Sequence, residues 1–413
     1  MTATTAPDPA GYAARIEDDL RRNILPFWMA RVADRGANTF LGSLTNDLVA
    51  DPAAERGALL TTRILWTYSA AFSRYRDPEY LAMADTAYAD LTKHFADREN
   101  GGYWWSVAAN GAVRRDRKQV YGQAFAIYAL AEYHGATGRA EPLERAVELY
   151  RLLERHAVER RHGGYLEAFD RAWGPIADMR LSEVDMNEPK SQNTHLHVME
   201  AYSRLLEAWP DPGLRAALGG LVEIMLTRIV DPATAHLGLF FAMDWSPRSD
   251  RVSYGHDIEA AWLLVRAAQA LGDPALAARI RPLAVRIAEA TLAQGVDADG
   301  GVYNEGGPGG LTNTNKEWWP QAEAVVGFLD AFEQSGQERF LGAALRTWDF
   351  IERHLIDRRR GEWFRGVTRD GRVLENELKV SFWKCPYHNG RTGLEAVRRL
   401  RALATRGPDP HVP

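Results

Sequence analysis

Apolar residues recur along this chain in two alternating patterns. RILWTYSAAF from Arg63, YGQAFAIYALAEY from Tyr121, DIEAAWLLVRAAQAL after His256 and PQAEAVVGFLDAF after Trp318 and Trp319 are apolar almost all round. Between them lie LERAVELYRLLERHA and ARIRPLAVRIAEATLAQ, where Arg and Glu fall at the intervals of a single solvent face. A helix without a polar stripe has to be buried, and one with a stripe can cover it. The alternation predicts an inner and an outer layer of helices.

The same alternation has a period. Glycine-bearing turns stand at Gly42, Gly102, Gly164, Gly238, Gly301 and Gly361, with spacings of 60, 62, 74, 63 and 60 residues. Self-similarity at a fixed period marks a repeat architecture. Six units fill the chain, and six inner with six outer helices close naturally into a two-layered ring of one all-α domain, expected over residues 16–402. The Ala-, Thr- and Pro-rich residues 1–15 and the closing residues 403–413 read as tails.

Composition narrows the partners more than the fold. Of the 413 residues, 46% are apolar and 13 are Trp, enough for a large core in a closed barrel. The net charge of −5 comes without long runs of one sign, which argues against nucleic acid and anionic membrane surfaces as partners. The opening MTATTAPDPAGYAARIEDDL lacks an apolar signal core, and no stretch approaches the roughly 18 apolar residues of a membrane span. A soluble, cytoplasmic protein, a monomer or weak homodimer, is expected. The single cysteine, Cys385, excludes an intramolecular disulfide.

Candidate chemistry gathers where inner helices begin. Three polar clusters carry a histidine each: SQNTHLH with His197, SYGHDIE with His256 and WKCPYHN with His388. On the repeat spacing these should converge on one rim. Helix N-termini lower an imidazole's proton affinity, so a neutral ring can take a proton and its conjugate acid return one. His94, His134, His162, His236 and His354 lack such clusters and read as structural or surface residues. Glu259, three residues after His256, reads as a group that orients that imidazole, or as an acid favoured by the helix dipole.

Two long irregular stretches complete the rim. Residues 168–193 form the longer one, expected to overhang the mouth with Asp185 and Asn193 as substrate contacts. The second, 304–319, is Gly-rich but lacks the Lys-Ser or Lys-Thr of a phosphate loop. Trp319 and Trp383, in helix-start or loop regions, offer flat faces for sugar rings, whereas Trp318, Trp66 and Trp262 suit core packing.

Rival chemistries fit less well. His195 and His197 are spaced i, i+2, which on a helix points the rings to different sides, and neither HExxH nor a Cys-containing zinc pattern occurs. No metal is expected. Cys385 precedes His388 by three residues but reads as a small buried hydrophobe. Glycoside hydrolysis needs two carboxyls facing each other; Asp185, Glu259, Glu317 and Glu323 are at hand, but the histidines would then be idle. A helical array that binds protein along an open groove would leave them idle too.

TRILWTYSAA, KQVYGQAFAIYAL, NTHLHVMEAYSRLLEAW, SYGHDIEAAWLL, NKEWWPQAEAVVGF and FWKCPYHNGR together resemble the N-acylglucosamine 2-epimerase superfamily over residues 16–402. The resemblance implies an (α/α)6 barrel, in agreement with the six repeats, and inversion at C2 of a reducing-end sugar without metal or nucleotide cofactor. Its disaccharide-acting branch implies a β-1,4-linked substrate such as cellobiose. By the same resemblance His256 and His388 are the two acid/base residues and His197 assists ring opening. Arg63 would hold sugar oxygens and stabilise negative charge, Tyr121, Asn193 and Glu259 would make further contacts, and Asp185, Trp319 and Trp383 would bind sugar rings. The alternative is an aldose–ketose isomerase, or a 2-epimerase of free glucose and mannose, because these reactions share one enediolate.

Overall fold

Asp–Pro pairs start the outer layer. In the computed structural model, which describes residues 8–406, helices Pro9–Asp19, Pro78–Asp90, Pro212–Ile224 and Pro274–Gln294 each place Pro in the first turn. The preceding Asp8, Asp77, Asp211 and Asp273 accept from the free N–H groups of that turn. Ala140–His156 and Glu338–Phe350 complete the outer six.

The inner six are Ala58–Tyr75, Val120–Thr137, Gln192–Ala208, Tyr254–Leu271, Trp318–Ser335 and Tyr387–Arg406. Each packs on the next and the last packs on the first, so the ring is closed. The second inner helix is buried along nearly its whole length, as its unbroken apolar sequence requires. Most inner helices end on a left-handed residue, Arg76, Gly138, Gly272 or Gly336, which turns the chain out towards the covering layer. The all-α (α/α)6 barrel is the fold, with one departure from linear counting. The outer partner of the sixth inner helix is Pro9–Asp19, so the two ends of the chain complete one hairpin and close the ring. The expected N-terminal tail is therefore shorter than residues 1–15, and the sixth inner helix runs past 402 to Arg406. Residues 1–7 and 407–413 of the expected tails lie outside the described residues.

Short strand pairs gather the units at one end. The two residues ahead of an inner helix pair antiparallel with the strand following the next unit's turn: Arg56–Gly57 with Ser106–Val107, Lys118–Gln119 with Ala168–Phe169, Lys190–Ser191 with Phe240–Phe241, Val252–Ser253 with Glu305–Gly306, Lys316–Glu317 with Gly366–Val367. A bridge between Leu44 and Val380 closes this second ring. Buried lysines lock it: Lys118 to Asp97 at 2.8 Å, Lys190 to Glu159 at 3.1 Å, Lys316 to Asp297 at 2.8 Å and Lys379 to Asp357 at 2.5 Å. Gly164, at φ +85°, shows why glycine recurs in the turns. A Cβ there would stand 2.6 Å from Nε2 of His195, which accepts from the N–H of Tyr165 at 2.9 Å.

Candidate active site

The inner helices start at one end of the barrel and surround a cavity of about 550 Å³. His197 is the sixth residue of the third inner helix, His256 the third of the fourth and His388 the second of the sixth, and all three line this cavity. Trp319 joins two of them: its ring centroid lies 4.7 Å from that of His256 and 5.7 Å from that of His388. Imidazoles 132 residues apart thus line one cavity and pack against a single indole. Arg63, Tyr121, Asp185, Asn193, Glu259 and Trp383 line the cavity too. Residues 179–186 of the long loop form part of its wall, as expected, with Asp185 accepting from Ser182 Oγ at 2.6 Å.

Each imidazole is held through Nδ1, by a different partner. His197 Nδ1 meets Glu200 Oε2 at 2.9 Å, His388 Nδ1 meets Glu323 Oε1 at 2.7 Å, and His256 Nδ1 meets Ser253 Oγ at 2.8 Å. Nε2 is left as the ring nitrogen for chemistry. Desolvation lowers the proton affinity of all three, pushing His256 down to about 3; Arg63 and Arg391 add repulsion at His197 and His388. Glu259 does not orient His256. Its position one helical step deeper carries its carboxylate to Arg391, at 2.6 Å, with Oε2 4.0 Å from Nε2 of His197. Oε2 has no hydrogen-bond partner among the described residues, which suits a group that lines the cavity.

Below the imidazoles lies a charged floor that sequence reasoning missed. Arg391 donates through Nη2 to Glu259 and Glu323, at 2.6 and 2.7 Å, and through Nη1 to Glu200 and the Tyr387 hydroxyl. Desolvation raises the proton affinity of Glu259 and Glu323 and, with added repulsion from Glu323, carries Glu259 well above the carboxylate range. At Glu200 desolvation also acts upwards, but Arg391 and His197 outweigh it and hold the carboxyl at about 2. The signal was available: His197 and Glu200, His256 and Glu259, and His388 and Arg391 are all spaced i, i+3, a layer of imidazoles above a layer of ions. Donor atoms of Glu259, Glu323 and His388 lie within 4.8 Å of one another, close enough for a cation. Arg391 already holds both carboxylates, so a metal ion would have to displace its guanidinium.

Arg63 is matched quite differently. Its guanidinium is buried, donates to the Tyr121 hydroxyl at 2.8 Å, approaches Cys385 Sγ at 3.9 Å and lies over Phe125 at 4.3 Å and Tyr387 at 5.0 Å. It forms no ion pair among the described residues, and its Nε has no partner. His195, the spacing partner of His197, is fixed in the scaffold between Ser191 O and Tyr165 N.

A closed barrel whose imidazoles and indoles, with Arg63 lacking an ion pair among the described residues, surround a sugar-sized cavity defines a class, and the chain falls within it. Residues 40–389 match the N-acylglucosamine 2-epimerase (GlcNAc 2-epimerase) family, and the protein belongs to that family. It is a carbohydrate epimerase. Cellobiose 2-epimerase of Bacteroides fragilis is 44% identical over 383 residues, covering 92% of this chain and 97% of the relative. That of Dictyoglomus turgidum is 37% identical over 389 residues, covering 94% and 98%. The solved structure of cellobiose 2-epimerase from Spirochaeta thermophila superposes with a TM-score of 0.89 at 40% identity, covering 97% of this chain and all of the other. No helix among the described residues is long and apolar enough to cross a membrane.

Proposed function

We propose that the protein inverts C2 at the reducing end of a β-1,4-linked disaccharide such as cellobiose, by proton transfer between two histidines through an enediolate. The observation that carries this reading is the shared cavity of His256 and His388, each held through Nδ1 so that Nε2 is the ring nitrogen left for chemistry, with Trp319 packed against both rings. The names of the relatives support the choice of sugar.

In this reading the sugar ring opens first, with His197, held by Glu200, moving a proton at the ring oxygen or O1. One imidazole then takes the C2 proton on Nε2. The C–H electron pair enters a C1–C2 double bond and negative charge collects on O1. The other imidazole, protonated, returns a proton to C2 on the opposite face and the C1 carbonyl reforms. Each positioned acid or base contributes a factor of about 10² to 10⁴. Arg63 supports the enediolate step because a buried cation without a carboxylate favours an anionic partner in a low-dielectric site. Asp185, Trp319 and Trp383 hold the two rings, and Tyr121, Asn193 and Glu259 bind hydroxyls of the reacting ring.

Incubation with cellobiose in D₂O tests the reading. The expected product is the C2 epimer of cellobiose with deuterium at C2. A ketose as main product would make the enzyme an isomerase, release of monosaccharide would make it a hydrolase, and an unlabelled, unchanged sugar would overturn proton transfer altogether.

A further inference from the structure

Two serines occupy the same place in neighbouring repeats and do different things. Ser191 and Ser253 are the residues immediately before the third and fourth inner helices. The Ser191 hydroxyl caps its helix, accepting from the N–H of Thr194, three residues on, at 3.1 Å. This is the ordinary work of a serine at a helix start. Ser253 is buried and makes no side-chain cap. Its hydroxyl instead meets Nδ1 of His256, the side chain of the residue whose N–H it would have capped. A helix cap has been given up for contact with one imidazole.

The partner of the other base is of another kind. Glu323 Oε1, 2.7 Å from Nδ1 of His388, also accepts from Arg391, and an ionised carboxylate can only accept. It fixes a proton on Nδ1 of His388 whether or not Nε2 carries one. A hydroxyl accepts in one orientation and donates in another, so Ser253 can follow either tautomer of the neutral His256 ring.

We infer that Ser253 is a positioning residue for His256, and that the two bases of the proposed epimerisation are unlike: a carboxylate fixes the tautomer of His388, whereas the reactive Nδ1–H tautomer of His256 is held by a neutral hydroxyl turned to accept from it. The inference rests on the epimerase reading. When His256 takes the C2 proton, its Nδ1–H donates to Ser253 Oγ; when it returns one, that hydrogen bond holds the ring while Nε2–H breaks and C2–H forms. Ser253 therefore acts on abstraction from one epimer and on reprotonation from the other.

The test compares Ser253→Thr with Ser253→Val, which share a shape and differ in the hydroxyl. With cellobiose and with its C2 epimer as substrates, kcat, KM, the isotope effect of C2 deuteration and the solvent isotope effect are measured for the intact enzyme and both variants. Ser253→Val should lower kcat about tenfold with KM little changed, while Ser253→Thr stays near the parent rate. Ser253→Val should also raise the C2 isotope effect with one epimer and the solvent isotope effect with the other; Glu323→Gln should give the opposite assignment. Equal kcat and isotope effects in the Thr and Val variants, or the same isotope effect raised with both epimers, would overturn the role of Ser253 while leaving the epimerase reading intact. Absence of deuterium at C2 with the parent enzyme in D₂O would instead remove the reading beneath it.

Discussion

Arg63 and Arg391 are both buried in one barrel and are matched in opposite ways. Arg391 is surrounded by Glu200, Glu259, Glu323 and the Tyr387 hydroxyl. Arg63 has a phenol, a thiol and aromatic faces, and no carboxylate among the described residues. Burying a charge is costly unless something of opposite sign meets it. On the floor the protein supplies that partner itself, and the result is a rigid base for the imidazoles. On the Arg63 side it does not, which fits a site completed by negative charge on a bound intermediate. Matched charges build the scaffold, and Arg63, without an ion pair among the described residues, marks where substrate is expected.

The sharpest way to break the contrast is to remove each arginine. Arg391→Leu leaves three carboxyls around an apolar side chain and should lower the free energy of unfolding in urea by about 3–5 kcal/mol, with activity lost. Arg63→Met should do the reverse: turnover falls by about 10² to 10³, while the same urea measurement shows stability kept or raised. Similar losses of stability in both variants would erase the distinction.

Glu167 sharpens the comparison from the acidic side, since it is buried at the cavity wall with Thr194 Oγ1 at 2.6 Å and the Ser191 N–H at 2.8 Å but no cation. Burial pushes its carboxyl up to about 7. Between the ordinary glutamate range and that value the folded form binds more protons than the unfolded one, so its contribution to stability falls as pH rises from about 4.5 to 7. Unfolding scans across this window should show Glu167→Gln losing less stability than the parent, by on the order of 3 kcal/mol at most. The smallest effect belongs to Ser191→Ala, which removes a helix cap and should cost about 1 kcal/mol in the same scans.

Much of the site could be read along the chain because it sits where helices begin. His197, His256 and His388 stand out as polar clusters interrupting apolar repeats, and Trp319 and Trp383 lie in the same segments. Glu259 follows the same logic, but its carboxylate meets Arg391 rather than the imidazole of His256. Residues three apart on a helix share a face but differ in depth, so its carboxylate meets groups from other helices in the layer below. Arg391 and Glu200 escaped notice for that reason, since 191 positions separate them.

The sequence by itself determined the period, the two layers and the ends at which helices start, because apolar periodicity, Asp–Pro caps and turn glycines act over a few residues. Only the tertiary structure decided that Pro9–Asp19 completes the last hairpin, that Arg391 gathers carboxylates from three helices, and that Arg63 is left without one. These depend on ring closure, which fixes distances between side chains far apart in the chain and so sets which buried charges find partners.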